Sequence, residues 1–291
     1  MRNQLSLILT NAIKQLSSFF KFAVQILRGA FVTYRLTKGA EAAASIAYYT
    51  LFSLFPLMLC FVAIGSFFVD QAVVEEELLN FLPTIIPVSH EFIISNIQEV
   101  FRLRGAVSAI SLVGLLWSST SVFSTIIRNI NAAWPSAAPH SFIRMRLWSL
   151  AIIAAMALVL ILSSFSITFK HLLASLGLDV GASIFSKFLS SYFYTTVLPV
   201  LLRVLVFFAL YYWVPQIKVN KMAALTGAVV VTFLWQVITT AFSAYLSSGL
   251  ARYDIVYGSL GKMIALLVWI YFTSWIILFG AHLTSSIDRH I

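Results

Sequence analysis

Long apolar segments alternate with short charged ones along most of the chain. Stretches without a charged residue run for 28 residues between Glu41 and Asp70 and for 30 residues between Lys221 and Arg252. A membrane-spanning helix needs about 20 predominantly apolar residues. Because these stretches lack the two-residue alternation of barrel strands, they predict helices. Six spans are predicted, near residues 46–69, 106–127, 147–169, 192–214, 222–246 and 263–282.

The segment before the first span, residues 1–45, has the periodicity of an amphipathic helix, because apolar residues recur there at intervals of three and four. Basic side chains seven residues apart form one stripe on this helix: Lys14, Lys21, Arg28 and Arg35. Two interpretations are open. The helix either lies on the anionic surface of the membrane through these side chains, or packs against the bundle with a solvated charged face.

The composition of the chain is that of a membrane protein. Of the 291 residues, 60% are hydrophobic and only 10% are charged, which leaves too few polar side chains to cover a soluble protein of this size. The sequence therefore predicts an all-α, multi-pass membrane protein with a single membrane domain over residues 46–282, preceded by an N-terminal amphipathic interfacial helix.

Basic residues concentrate in alternate loops. The N-terminal segment, the second and fourth loops and the C-terminus hold 12 Lys and Arg against 2 Asp and Glu, whereas the other three loops hold 6 against 8. Because basic loops are retained in the cytoplasm, both termini are predicted to be cytoplasmic. Residues 70–105 then form an acidic extracytoplasmic loop, and residues 283–291 form a short cytoplasmic tail. The net charge of +9 reflects this sorting, so we expect no nucleic-acid partner.

Familiar catalytic patterns are missing from the sequence. The single cysteine, Cys60, falls inside the first span, and the five histidines have no metal-ligand spacing. None of the six predicted spans contains Asp or Glu, which excludes a paired-aspartate intramembrane protease. We expect no catalytic site, no metal site and no cofactor.

Arg203 is the one basic residue that does not sort to a loop. It is central in the predicted span 192–214, where a charge costs about 2.5 to 3.5 kcal/mol and usually faces the bundle interior or an aqueous cavity. No acidic residue in any predicted span can pair with it. Either carbonyls, hydroxyls and aromatic faces satisfy the guanidinium, or an anionic ligand does.

Other polar residues are predicted at the same depth. Their positions within the predicted spans place Gln236, Ser53 and a polar cluster of the second span close to the middle of the membrane. The hypothesis is one midplane cavity, and its candidate ligand-binding residues are Arg203, Gln236, Ser53, Trp117, Ser118, Ser119 and Thr120. Ser and Thr in membrane helices more often bond to their own backbone, so a purely structural role is the alternative.

Three segments carry specific residue patterns in addition to their high hydropathy. They are residues 42–65, 115–134 and 252–281. Their most specific residues are Tyr48, Tyr49, Ser53, Pro56, Trp117, Ser118, Asn131, Tyr257, Gly258, Trp269 and Gly280. These segments resemble the signature segments of the YihY/BrkB family of bacterial inner-membrane proteins. The resemblance implies a multi-pass protein with six spans in a bacterial cytoplasmic membrane.

His282 departs from the family pattern. Members often read Gly-Ala-Glu where this chain has Gly280, Ala281 and His282. A mechanism that uses the carboxylate, such as proton coupling, has no such group here, although a histidine titrates near neutrality. The family has been labelled variously as virulence factors, suspected transporters and ribonuclease BN, so the resemblance implies no single activity.

Two functional hypotheses follow. The first is a transporter or lipid-handling protein that binds an anionic solute or lipid headgroup at Arg203. The second is a non-catalytic membrane scaffold or envelope-integrity factor that recruits partners through the acidic loop or the N-terminal helix. An intramembrane enzyme or a ribonuclease is a third interpretation, but the sequence has no His/Asp metal cluster for it. Membrane lipids are the expected partners, and a homo-oligomer is left open.

Overall fold

The computed structural model describes residues 20–65, 109–153, 197–248 and 260–291, and within these ranges the chain is helical without strands. Seven helices occur there. They are α1 (20–36), α2 (Gly39–Gly65), α3 (Ala109–Asn131), α4 (142–153), α5 (Leu198–Trp213), α6 (Lys221–Ser247) and α7 (Gly261–Asp288). The acidic loop predicted at 70–105 and most of the predicted third span lie outside the described residues.

Two of the described helices are long and apolar enough to cross a membrane. Helices α6 and α7 have mean hydropathies of 1.8 and 2.1, and α5 contributes a shorter apolar segment, Pro199–Trp213. The all-α class is confirmed for the described residues. The number of spans and the side on which each terminus lies stay predictions.

Helix α7 occupies the centre of the described bundle. It packs between α2 and α6, while α3 packs on α2 and α5 packs on α6. The shared core draws side chains from five helices and α1, among them Ile46, Ile127, Tyr211, Val231 and Leu278, which are at most 2% exposed. The apolar side chains of α7 are spread around its axis, as expected for a helix that packs on several neighbours and has no solvated polar face.

Two helix ends lie farthest outside the predicted span boundaries. Helix α2 begins at Gly39 rather than near residue 46, immediately after Lys38, whose positive φ of 55° ends α1 sharply. Helix α7 continues to Asp288, whereas the sequence placed residues 283–291 in a tail. The physical reason is packing: Leu283 and Ile287 are 4% and 8% exposed and contact α1.

Three connections meet at one end of the bundle. The Asp288 carboxylate at the end of α7 accepts hydrogen bonds from the Trp134 indole (3.1 Å) and from the backbone N–H of Asn220 (2.8 Å). Trp134 belongs to the α3–α4 loop, and Asn220 is the cap of α6. The charge pattern assigned all three of these segments to one side of the membrane. The side that this end faces stays a prediction.

Candidate functional site

The structure brings Arg203 and Gln236 together. Arg203 on α5 donates from Nη1 to Oε1 of Gln236 on α6 at 2.7 Å. Both helices begin with residues that favour a helix start. Pro199 stands in the first turn of α5. Asn220 caps α6 because its side chain accepts a hydrogen bond from the backbone N–H of Met222. The guanidinium has five N–H donors, and this contact uses one of them.

The Arg203–Gln236 pair faces outward from the described core. Gln236 is exposed and Arg203 is partly exposed. Neighbouring apolar side chains on the same two helices are also exposed, including Leu205 at 64% and Phe233 at 67%. The pair therefore lies beside a surface that lipid or another part of the chain would cover, and the midplane cavity inside the bundle stays a prediction.

Trp117 and Thr120 contact a different arginine, Arg146. The Arg146 guanidinium carbon lies 4.4 Å from the centre of the Trp117 ring and 5.3 Å from that of Phe142. Its Nη1 also donates to the Trp117 carbonyl at 3.1 Å and to the Thr120 hydroxyl. This arrangement combines a cation–π contact with hydrogen bonds between α3 and α4. Among the described residues, no hydrogen bond or ring contact joins this cluster to Arg203.

Other Ser and Thr hydroxyls of α2 and α3 form hydrogen bonds within their own helix or to a neighbouring helix. Ser124 donates to the Thr120 carbonyl at 2.7 Å, and its oxygen lies 3.0 Å from that of Ser149 on α4. On α2, Ser53 donates to the carbonyl of Thr50 in its own helix at 3.3 Å. These contacts match the structural role of Ser and Thr in membrane helices. Whether Ser53 also meets a ligand stays a prediction.

His282 joins the end of α7 to the α1–α2 junction. It is 2% exposed, with Nε2 at 3.0 Å from the Thr37 hydroxyl and Nδ1 at 3.2 Å from the Thr33 hydroxyl. In the neutral ring, one nitrogen donates and the other accepts, and two threonine hydroxyls can satisfy either tautomer. The residue that departs from the family pattern is therefore fully partnered inside the protein.

Tyr34 packs beside His282 on the same interface. Its ring lies edge-on to Trp275, Phe279 and His282, at centroid distances of 5.5, 6.0 and 5.6 Å. The Tyr34 hydroxyl is buried and has no hydrogen-bond partner in the described part of the chain. Burial, and to a smaller extent the neighbouring Tyr271, raise the pKa of the Tyr34 hydroxyl, so it stays protonated.

Asn131 closes the α3–α4 loop and attaches it to the α5–α6 loop. Its amide nitrogen donates to the Ala138 carbonyl at 2.8 Å, and its oxygen accepts from the backbone N–H of Gln216 at 2.8 Å. His140 lies between the same loops, with Nδ1 at 2.7 Å from the Gln216 amide nitrogen and Nε2 at 2.9 Å from the Val214 carbonyl. This network holds two connections together and leaves His140 no free ring nitrogen.

The other family positions that the structure describes are mainly packing residues. Trp269 is 2% exposed and lies 6.1 Å, edge-on, from Trp235. Gly280 allows the close approach of α6 and α5, because a Cβ there would meet Val231 and the Tyr211 hydroxyl. In contrast, Tyr48 and Tyr49 are 55% and 41% exposed, so they line an outward face of α2.

Several predicted residues cannot be compared with the structure. Pro56 lies on α2, and Ser118 and Ser119 lie on α3, but their side chains fall outside the described part. Lys14, Tyr257 and Gly258 belong to segments outside the described residues. Within the four described ranges, no group of three His, Cys, Asp or Glu side chains could hold a metal ion; the absence of a metal or cofactor stays a prediction.

Sequence reasoning missed Arg146 and Asp288 as parts of these networks. Both appeared as loop or boundary charges, because hydropathy gives only their approximate depth. A signal for Arg146 was present in its neighbours: Phe142 stands four residues before it, one helical turn away, where an aromatic ring can stack on a guanidinium. No comparable local signal pointed from Asp288 to Trp134.

Comparison with known proteins identifies relatives along almost the whole chain. The model of the family described as Virulence factor BrkB matches residues 30–291. A protein of Bacillus subtilis, whose name YfkH is qualified as ribonuclease-like, is 28% identical over 91% of this chain and 96% of its own. A UPF0761 membrane protein of Photobacterium profundum is 30% identical over 85% of this chain and 76% of its own.

A second UPF0761 membrane protein, from Aliivibrio salmonicida, is 27% identical over 93% of this chain and 86% of its own. No solved structure matches the chain significantly. The family match covers the described helices from Ala30 onward, including the residues that carried the resemblance in sequence. The chain is an integral membrane protein and belongs to the virulence factor BrkB (YihY) family.

Proposed function

We propose that this protein is a transporter or lipid-handling protein that recognises an anionic group, the phosphate of a lipid headgroup or an anionic solute, through Arg203. The observation that supports the proposal is the environment of the guanidinium. It stands on an apolar helix, beside the exposed side chains Leu202 and Leu205, and its hydrogen-bond partner in the described structure is the neutral side chain of Gln236. The positive charge therefore has no countercharge there.

Charge balance favours a ligand over a purely structural role. Among the described residues, the only salt bridge joins Lys38 to Glu41, so no carboxylate there neutralises Arg203. A planar guanidinium that spends one N–H on Gln236 can still present two others to a phosphate or carboxylate. An arginine at membrane depth is costly, and the charged ligand would offset this cost.

A membrane scaffold is the second candidate, and the Arg203–Gln236 hydrogen bond is the observation that favours it. In that case the pair simply holds α5 against α6, and no ligand approaches. The two candidates predict different results when Arg203 keeps its hydrogen bond but the Arg203–Gln236 pair becomes electrically neutral. Substitution of Gln236 by Glu creates that situation, because the new carboxylate neutralises Arg203 within the pair.

The test measures anionic lipid bound to the full-length protein purified in mild detergent. Native mass spectrometry would titrate phosphatidylglycerol, with phosphatidylcholine and inorganic phosphate as separate probes. Three variants are compared: Arg203→Gln, Gln236→Glu and, as a matched control, Arg128→Gln, which removes an exposed arginine from α3. We expect the first two to weaken phosphatidylglycerol binding about tenfold or more, because a charge-assisted hydrogen bond contributes about 1.5 to 3 kcal/mol.

Arg128→Gln should retain binding. Competition by inorganic phosphate would indicate an anionic solute site, and binding of phosphatidylglycerol alone would indicate a lipid site. Wild-type binding in folded Arg203→Gln protein would contradict the proposal. A stable Gln236→Glu variant that binds phosphatidylglycerol like the wild type would also contradict it and would favour the scaffold.

A further inference from the structure

Helix α1 has one face buried and the opposite face exposed. Ile26 and Ala30 are 7% and 0% exposed, and they pack against Ala223 of α6 and against Leu283 and Ile287 of α7. The buried face therefore docks on the two helices that are long and apolar enough to cross a membrane.

The contacts place α1 at one end of these two helices. Ala223 lies in the first turn of α6, and the contacted part of α7 is its C-terminal end. Hydrogen bonds join Ile26 of α1 to Ser286, and Thr37, just after α1, to His282; they are about 16 Å apart along the first segment but about 6 Å apart along α7. The ring of Tyr34 reaches farther along α7, to Phe279 and Trp275. Helix α1 thus crosses the C-terminal part of α7 obliquely, near the predicted end of the last span.

The exposed face carries an apolar strip beside a basic strip. At 3.6 residues per turn, four exposed apolar side chains fall within about 60° around the axis, and three exposed basic ones fill the adjoining arc of about 40°. The apolar strip consists of Phe20, Val24, Leu27 and Phe31, which are between 46% and 69% exposed. The basic strip consists of Lys21, Arg28 and Arg35. Beyond it, the exposed face continues through Val32, Gln25 and Leu36.

The charge pattern indicates which partner fits this face. The described residues contain only two acids, Glu41 and Asp288; Glu41 pairs with Lys38, and Asp288 accepts bonds from two other segments. No described carboxylate therefore neutralises the basic strip. An apolar strip with a basic border is typical of helices that lie in the interface of a membrane, where side chains enter the acyl boundary and cations meet phosphates.

We propose that α1 lies in the headgroup region of an anionic phospholipid surface. The apolar strip enters the acyl-chain boundary, and the basic strip contacts the lipid phosphates. The docking of Ile26 and Ala30 on α6 and α7 holds the helix at this depth. This inference is independent of the role proposed for Arg203, because it rests on a different helix and different side chains.

Spin labels at two exposed positions of the full-length protein test the proposal. Single cysteines replace Phe31, in the apolar strip, or Gln25, about 120° away around the helix, in a Cys60→Ala background. Each labelled protein is placed in nanodiscs of phosphatidylcholine with phosphatidylglycerol. Collision of the label with oxygen, which concentrates in lipid, is compared with collision with a water-soluble nickel chelate. We expect a several-fold higher oxygen-to-nickel ratio at Phe31→Cys than at Gln25→Cys.

The contribution of charge is tested at the Phe31→Cys label. Combining Lys21→Gln, Arg28→Gln and Arg35→Gln should lower the ratio, and so should replacing phosphatidylglycerol by phosphatidylcholine around the protein that keeps its basic strip. A control that neutralises Arg128, Arg144 and Lys218, which are exposed basic residues elsewhere, should leave it unchanged. Inorganic phosphate added to phosphatidylcholine discs should not restore the ratio, because the apolar strip also needs the lipid surface.

Equal ratios at the two positions would overturn the proposal. So would low collision with both reagents at Phe31→Cys, since this result means that protein covers the face. A ratio at Phe31→Cys that does not change when phosphatidylglycerol is removed would overturn the assignment of the basic strip to lipid phosphates. The lipid exchange uses the intact basic strip, so it decides the matter even if the triple variant fails to fold.

Discussion

The guanidinium of Arg146 stacks over the ring of Trp117 at 4.4 Å and also donates to the carbonyl of the same residue at 3.1 Å. One side chain therefore fastens α4 to α3 in two ways. This arrangement needs a flat cation, because stacking and lateral donation use perpendicular directions of the same group.

Replacing Arg146 by Lys should weaken the contact between α3 and α4. The ammonium keeps the charge but cannot stack and donate at once, so we expect a loss of about 1 to 2 kcal/mol. Thermal unfolding in mild detergent measures the loss as a lower melting temperature. Arg144→Lys, two residues earlier and exposed, serves as the control. Equal melting temperatures for both variants would show that the stacked geometry contributes nothing.

Asp288 and Trp134 are expected to be energetically coupled across the end of the bundle. Asp288→Asn removes one of two acceptors, leaving the Trp134 indole or the Asn220 backbone N–H without a carboxylate oxygen, at a cost of about 1 to 2 kcal/mol. Trp134→Phe deletes the indole donor. In a double-mutant cycle, Asp288→Asn should cost less in the Trp134→Phe background. Strict additivity of the two substitutions would contradict the coupling.

Gly280 is expected to tolerate no side chain. A Cβ at this position would meet Val231 and the Tyr211 hydroxyl, so Gly280→Ala should destabilise the protein by about 1 to 3 kcal/mol through overpacking. Adding Val231→Ala should recover part of this loss. Gly29→Ala is the comparison, because its nearest neighbour is the end of the Ser286 side chain at 2.8 Å. Melting temperatures that rank Gly29→Ala below Gly280→Ala would reject the explanation.

Tyr34→Phe should leave stability unchanged or raise it slightly. The hydroxyl is buried and has no partner in the described structure, so its removal relieves up to about 1 kcal/mol of desolvation. Tyr34→Ala, in contrast, removes a ring that contacts three others and should cost about 3 to 5 kcal/mol. A clear drop in melting temperature for Tyr34→Phe would indicate that the hydroxyl has a partner.

Sequence reasoning located the polar residues of the membrane domain better than it located their contacts. Arg203 and Gln236 were selected by depth alone, and they do form a hydrogen bond. Trp117 and Thr120 were selected in the same way, but they contact Arg146. The position of a residue within its predicted span gives only the depth of its side chain in the membrane. It does not give the rotation of each helix about its axis, which decides the neighbour.

The C-terminal end of α7 also shows that hydropathy does not predict the contacts of polar residues. Hydropathy ended the last predicted span at residue 282, because His282 and the hydroxyls after it are polar. In the structure, Thr284, Ser285 and Ser286 are all fully buried. Thr284 and Ser286 donate to the carbonyls of Gly280 and Ile26, so the helix carries them inside the bundle. A buried polar residue with partners looks, in sequence, like a solvated one.

Composition, periodicity and the signature segments were enough to identify a helical membrane protein of the BrkB family with a basic amphipathic N-terminal segment, since all three are local properties of the chain. The packing of the helices was needed to show that α7 lies at the centre of the described bundle, that α1 docks on its C-terminal part, and that Arg146 stacks on Trp117. These relationships join residues far apart in sequence. They depend on which helices pack together and how each is rotated, and a hydropathy pattern contains neither quantity.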